Sequence, residues 1–274
     1  MLLAQLTDLH LRPRGVAADR VVETNMLAER AFRAVGRIRP APDAVLLSGD
    51  LAEAGLEAEY ELLAELLRRY IRCPVFAIPG NHDSREAFRA ALAHLPGVTK
   101  DAEFVQYAVE DYPVRLVMLD TVVPGAPHGE LCGRRREWLE RTLAAETEKP
   151  TIVVMHHPPF DCGIGHMDAM KLRDAEAFAA IMARHSQVQR ILCGHVHRAV
   201  TARVGHAIAS IAPSMAHQVA LDLEPGGPSA LVMEPAAFQL HHVTPALEIV
   251  SHTAYVEDYP GPFPFLAPEE VPPA

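Results

Sequence analysis

The sequence predicts an α/β fold with mixed sheets, and three observations carry that expectation. The first is a strand-helix-strand-helix-strand order over roughly the first eighty residues. The second is a hairpin signature across residues 104–119. The third is a set of five short apolar runs, each with Asp, Asn or His just past its end. Strands alternating with helices form a parallel sheet covered on both faces, and the hairpin adds antiparallel pairing.

In order, Leu2–Leu6 reads as the first strand. Residues 19–39 place Val22, Met26, Leu27, Ala31, Phe32, Val35 and Ile38 at helical spacing, stopped by Pro40 and Pro42. Residues 44–47 form the second strand. Residues 53–70 form a second helix, with Leu56, Tyr60, Leu63, Leu66 and Leu67 on one side. Val75–Ile78 is the third strand, and a third helix spans 85–94. Runs 104–109 and 114–119 pair across Asp111-Tyr112-Pro113. A helix over 134–146 starts with Arg134-Arg135-Arg136, expected on a solvated face. Strands at Thr151–Met155 and 190–192 flank a long loop, 161–170, and a helix, 172–185. Beyond His197 come only short β-prone pieces at 200–204, 207–211, 218–223, 230–233, 238–243 and 247–254, then a Pro-rich end from Tyr259.

With 274 residues, 49% hydrophobic, and a mean hydropathy of +0.05, the chain can bury one sizeable core. The expected division is a catalytic domain over 1–222 and a β-rich extension with a Pro-rich tail over 223–274, the latter contributing to a homo-oligomer contact. A net charge of −10 and no basic cluster with interleaved aromatics argue against a nucleic-acid polymer as partner. Cys73, Cys132, Cys162 and Cys193 are scattered and fit a reducing compartment. No run approaches the roughly 18 apolar residues of a membrane span, and Asp8 and His10 interrupt the apolar start. The expected location is cytoplasmic, with no membrane partner.

The residues after the strands are Asp8 and His10, Asp50, Asn81, His156, and His195 with His197. Side chains at i and i+2 of a strand share a face, so Asp8 with His10, and His195 with His197, can each aim at one cavity. Seven such groups are too many for one tetrahedral zinc and suit two adjacent divalent cations, Mn, Fe, Zn or Co. One carboxylate can bridge two metals about 3.5–4 Å apart, and such a pair yields hydroxide near neutral pH and clamps phosphoryl oxygens. Two divalent cations, two aspartates and a hydroxide sum to a single positive charge, which suits a phosphodiester monoanion. Arg12, Arg14 and Arg85 lie close enough in sequence to leave a dianionic monoester open. No G-x-S-x-G elbow supports a serine hydrolase.

Asp8-Leu9-His10, Gly49-Asp50, Gly80-Asn81-His82-Asp83, His156-His157-Pro158-Pro159 and Gly194-His195-Val196-His197 resemble, in order, the five motifs of the calcineurin-like metallophosphoesterases. The continuation through Ala216-His217-Gln218-Val219 is similar to the bacterial class III cyclic-nucleotide and glycerophosphodiester phosphodiesterases. The resemblance implies a four-layer α/β/β/α sandwich of two mixed sheets flanked by helices. It implies one metal on Asp8, His10, Asp50 and His197, and a second on Asp50, Asn81, His156 and His195, with Asp50 bridging. His82 would face the phosphate and leaving group, and His217 would line the substrate pocket. Purple acid phosphatases place a Tyr ligand three residues after the bridging Asp; here Glu53 stands there, so a ferric phenolate centre is not expected. The implied reaction is hydrolysis of a small phosphodiester, with a phosphomonoesterase or protein phosphatase, or an inactive scaffold, as alternatives. His157 is expected to point away from the ligands, and His241, His242 and His252 to lie at the surface.

Overall fold

In a computed structural model, which describes residues 1–18 and 21–265, the elements run β1 (Leu2–Leu6), α1 (Thr24–Arg37), β2 (Ala44–Ser48), α2 (Glu57–Tyr70), β3 (Val75–Ile78), α3 (Arg85–Leu92), β4 (Tyr107–Val109), β5 (Arg115–Leu119), α4 (Gly133–Ala144) and β6 (Thr151–Met155). Then come α5 (Gly165–Asp168), α6 (Ala175–Arg184), β7 (Val188–Cys193), β8 (Val200–Val204), β9 (Ala207–Ile211), β10 (Gln218–Val219), β11 (Leu231–Val232), β12 (Ala237–Val243) and β13 (Ile249–Tyr255). One large sheet has the order β13-β12-β1-β2-β3, the other β4-β5-β6-β7-β9-β8, and β10 with β11 forms a separate two-stranded antiparallel pair. Strands β1, β2 and β3 are parallel, as are β5, β6, β7 and β9, while β4, β8, β12 and β13 pair antiparallel.

Alternation along the strands builds the layers. Leu116 and Met118 of β5, Ile152 and Val154 of β6 and Leu192 of β7 pack toward the first sheet. Their neighbours Val117, Leu119, Val153, Met155 and Ile191 pack with Leu139 and Leu143 of α4 and Phe178 of α6. Helices α1, α2 and α3 cover the first sheet through Phe32, Tyr60, Leu63 and Phe88. The result is helices, sheet, sheet, helices: the four-layer sandwich.

Element ends depart from expectation for local reasons. Helix α1 begins at Thr24; Ala18 and Val22 form a bridge instead, and Asp19, the expected start, lies outside the described residues, as does the chain after 265. Helix α2 begins at Glu57 because the Glu59 carboxylate accepts the Ala54 and Leu56 amides at 3.0 and 2.9 Å. Glu53 therefore sits in the loop before α2. Arg135, expected in solvent, is buried and donates to the Asp120 and Val122 carbonyls, since a helix turns one residue of the basic run inward. The segment expected as an extension is part of the first sheet: β12 lies along β1, Ala4 opposite Leu240, so a boundary at 222/223 would divide that sheet.

That placement also corrects His241. It is fully buried between strands, where its Nε2 meets Gln5 Oε1 at 3.1 Å and its Nδ1 meets Ser251 Oγ at 2.8 Å; His242 and His252 are exposed. Burial, with Arg190 nearby, pushes the His241 ring down to about 3. An unfolded histidine protonates near pH 6.5, so below that pH the unfolded chain binds the extra proton. The stabilisation is complete above pH 6.5 and drains as pH falls toward 3. Between pH 7 and 5 the loss is on the order of 2 kcal/mol. Urea unfolding of the parent and of His241→Gln at both pH values should show a shallower pH dependence in the variant. Equal slopes would rule His241 out as the source.

Candidate metal centre

Every predicted ligand residue follows a strand that ends at one edge of the sandwich. Asp8 and His10 follow β1, Asp50 follows β2, Asn81 follows β3, His156 follows β6, and His195 with His197 follow β7. Strand alternation is not what pairs them. Among the described residues six non-glycines have positive φ, and five are Asp8 (54°), His10 (47°), Asp50 (49°), His195 (75°) and His197 (55°). Left-handed turns just past the strands aim these side chains inward, at a strain of about 1 kcal/mol or more each. Hydrogen bonds hold the turns: Asp8 N to Gly49 O and His10 N to Asp50 O, both 3.0 Å, and Gly194 N to His156 O, also 3.0 Å. Space is equally constrained, because a Cβ at Gly49 or Gly80 would enter the His156 ring, and at Gly80 the Asp50 carboxylate as well.

The side chains converge. His10 Nε2 and His197 Nε2 lie 3.0 Å apart, and His197 Nε2 is 3.4 Å from Asp8 Oδ1. His10 Nδ1 donates to Glu53 Oε2 at 2.6 Å, and His197 Nδ1 donates to the His217 carbonyl at 3.0 Å. Both Nε2 atoms thereby point into the site. His156 repeats the pattern: Nδ1 donates to Ser48 O at 2.9 Å, so Nε2 is the nitrogen turned to Asp50 Oδ2 and Asn81 Oδ1, each 3.2 Å away. His195 Nε2 is buried with no hydrogen-bond partner, in a cluster with His156. With each Nδ1 engaged outside the site, the Nε2 atoms of His10, His156 and His197 converge with carboxylate and amide oxygens, the donors a cation would gather. The donor set, imidazole and carboxylate with one amide, fits divalent transition metals of the Mn, Fe, Zn or Co type.

Electrostatics follow from burial and mutual charge. Burial raises the Asp8 carboxyl, but His197 and His156 outweigh it and bring it down to about 2. Asp50 is likewise held well below the carboxylate range by His156, His82 and His10 against its burial. His156 goes the other way, up to about 9, since Asp50 and Asp8 overcome desolvation. Burial and the neighbouring imidazoles push His195 and His217 down to about 3. His82 is raised, with Asp50 and the Glu53 carbonyl overcoming its desolvation.

His82 and His217 both line a cavity of about 220 Å³ above the ligands. His82 Nδ1 donates to Glu53 O at 2.9 Å, and its ring stands edge-on to His10 at 4.8 Å. The His217 ring lies 4.7 Å from that of His197. His157 does not point away: the chain has left β6, alternation lapses, and its ring packs against His156 and His195 while Nδ1 meets Thr121 Oγ1 at 2.8 Å. In the loop over the site, Met167 and Met170 line the cavity, whereas Asp168 turns back to the Cys162 and Gly163 amides.

Two residues escaped sequence reading. Asp83 accepts from the Gly80, Leu51 and Ala52 amides and the Tyr60 hydroxyl, tying the ends of β2 and β3 together; burial and the charge of Asp50 push it up to about 6. Glu53 lines the cavity and also holds His10. Its distance of three residues from Asp50 was the available signal, but a helix assignment hid it.

The family model of calcineurin-like phosphoesterases matches residues 1–199. A protein of Arcobacter nitrofigilis named "Probable glycerophosphodiester phosphodiesterase GpdQ" is 33% identical over 266 residues, 97% of each chain. The 3',5'-cyclic adenosine monophosphate phosphodiesterase CpdA of Escherichia coli is 32% identical over 196 residues, 72% of this chain and 69% of that one. Among solved structures, a dimetal phosphatase from Danio rerio superposes with a TM-score of 0.70 at 13% identity, covering 94% of this chain and 97% of its own, a likeness of fold. By family model, by relatives and by architecture, the chain belongs to the calcineurin-like phosphoesterase family.

Proposed function

We propose that this protein hydrolyses small phosphodiesters, cyclic nucleotides or glycerophosphodiesters, at a centre of two divalent metal ions. The observation that carries the reading is the convergence of metal-binding donors: His10 Nε2 with His197 Nε2, and His156 Nε2 with Asp50 and Asn81. Asp8, His10, Asp50 and His197 would hold one ion, and Asp50, Asn81, His156 and His195 the other, with Asp50 shared. Two such cations supply an ionised water near neutral pH and offset charge on the phosphoryl oxygens.

The chain's own residues do the remaining work. Glu53 Oε2 and the His217 carbonyl fix the tautomers of His10 and His197, leaving Nε2 free to ligate. His82 Nδ1 is committed to the Glu53 carbonyl, so its Nε2 is the nitrogen able to carry a proton to the departing alcohol. Pro127, Met167, Met170 and Val219 give the cavity an apolar side for that alcohol.

Charge selects diester over monoester. Arg85 is forked onto Asp120 at 2.7 and 2.9 Å, Arg12 pairs with Glu59 at 3.5 Å, and Arg14 pairs with Glu65 at 2.7 Å. None lines the cavity, so no described Arg or Lys is there to match a second phosphate charge. A homo-oligomer belongs to the same reading: β13 is an edge strand with Val250 and Tyr255 exposed, and such edges are usually covered. So does a cytoplasmic location, supported by four unpaired thiols; no described helix is long and apolar enough to cross a membrane.

The test is metal analysis of the purified protein followed by comparison of bis(p-nitrophenyl) phosphate with p-nitrophenyl phosphate. About two transition-metal ions per chain and preferential cleavage of the diester are expected. No bound metal, or a preference for the monoester, would refute the reading.

A further inference from the structure

We propose that Glu53 is a specificity-determining residue whose carboxylate makes the centre select singly charged phosphodiesters and reject doubly charged phosphomonoesters, including its own product. The inference rests on the phosphodiesterase reading above and extends it to one side chain.

Glu53 lies outside the ligand set yet lines the same cavity. Its Oε2 is 2.6 Å from His10 Nδ1 and 3.7 Å from His82 Nδ1, and its side chain keeps 19% of its surface open. That position is one imidazole ring away from the nitrogens that face the centre and the departing alcohol. Whatever proton His82 carries, the Glu53 carboxylate lowers the net charge of the centre by one unit. The extra carboxylate repels a dianion about twice as strongly as a monoanion, so its differential effect is one unit-charge interaction. No described Arg or Lys lines the cavity to cancel it, and Arg12 pairs with the buried Glu59. Hydrolysis of a diester turns a monoanion into a dianion as one P–O bond to the alcohol breaks and one to the water oxygen forms. The same carboxylate that admits the substrate therefore weakens the hold on the product.

Glu53→Gln tests this, because the amide oxygen still accepts from His10 Nδ1 while the charge is gone. In the Mn-loaded protein at pH 8, kcat/KM for p-nitrophenyl phosphate relative to bis(p-nitrophenyl) phosphate should rise about tenfold, the scale of a partly screened unit charge. Calorimetric affinity for inorganic phosphate relative to dimethyl phosphate should rise by a similar factor, which reads selectivity without turnover. Metal content is measured alongside. Should Glu53→Gln lose metal, Val219→Lys carries the test with Glu53 intact: a cation in the cavity should move both ratios the same way. Ratios unmoved in both variants would overturn the proposal. A parent protein that binds dimethyl phosphate over phosphate but cleaves neither ester would instead sink the phosphodiesterase reading and leave the charge selection standing.

Discussion

Asp50→Ala is expected to empty both halves of the centre at once. Asp50 Oδ2 lies 3.2 Å from His156 Nε2 and 3.9 Å from His10 Nε2, so one carboxylate addresses both ligand groups. Its Oδ1 also accepts the His82 amide at 2.9 Å, which places the imidazole that follows Asn81. Loss of the side chain removes the one carboxylate that addresses both ligand groups and leaves Asp8 alone to offset two cations. Metal content should fall well below one ion per chain, and kcat/KM for a diester should drop by more than about 10³-fold, the scale of several kcal/mol of lost charge stabilisation. Mass-spectrometric metal analysis and initial rates check this together. Two retained ions with near-normal turnover would refute a shared Asp50.

His82→Ala should separate chemistry from metal binding. The His82 ring is half-exposed at the cavity, is raised by Asp50 and the Glu53 carbonyl, and is not among the predicted ligands. Both metals should remain, while kcat for a diester with an alkyl leaving group falls about 10²–10⁴-fold, the usual contribution of a positioned general acid. With p-nitrophenolate, which leaves without a proton, the loss should be much smaller. Equal losses for good and poor leaving groups would leave His82 an electrostatic role only.

The sheets were legible because β2, β5 and β6 are apolar on both faces, and only a strand covered on both sides reads that way. The candidate ligands were legible because they lie within a few residues of the end of such a run. What escaped was set by tertiary context. Strand alternation suggested that Asp8 should pair with His10, but left-handed turns perform that pairing, and no local pattern marks an Asp or His at positive φ. His241 reads as an exposed histidine in a polar stretch. Its burial depends on β12 returning to β1 from more than 230 residues away, a pairing sequence periodicity cannot express. Glu53 was masked by helix propensity, which Glu59 overrides by capping four residues later.

The centre draws on both sheets: Asp8, His10, Asp50 and Asn81 come from the first, and His156, His195 and His197 from the second. It therefore works as a rivet through two plates. Any slip of one plate over the other changes the distances within the seven-residue set before it disturbs a single strand pairing. Metal affinity becomes a gauge of how the plates sit, sensitive to packing at Leu116 or Ile152 in the buried layer between the sheets. Drift in that buried layer is then restrained by catalysis as well as by stability, and a large-to-small change there can silence the enzyme while the fold survives.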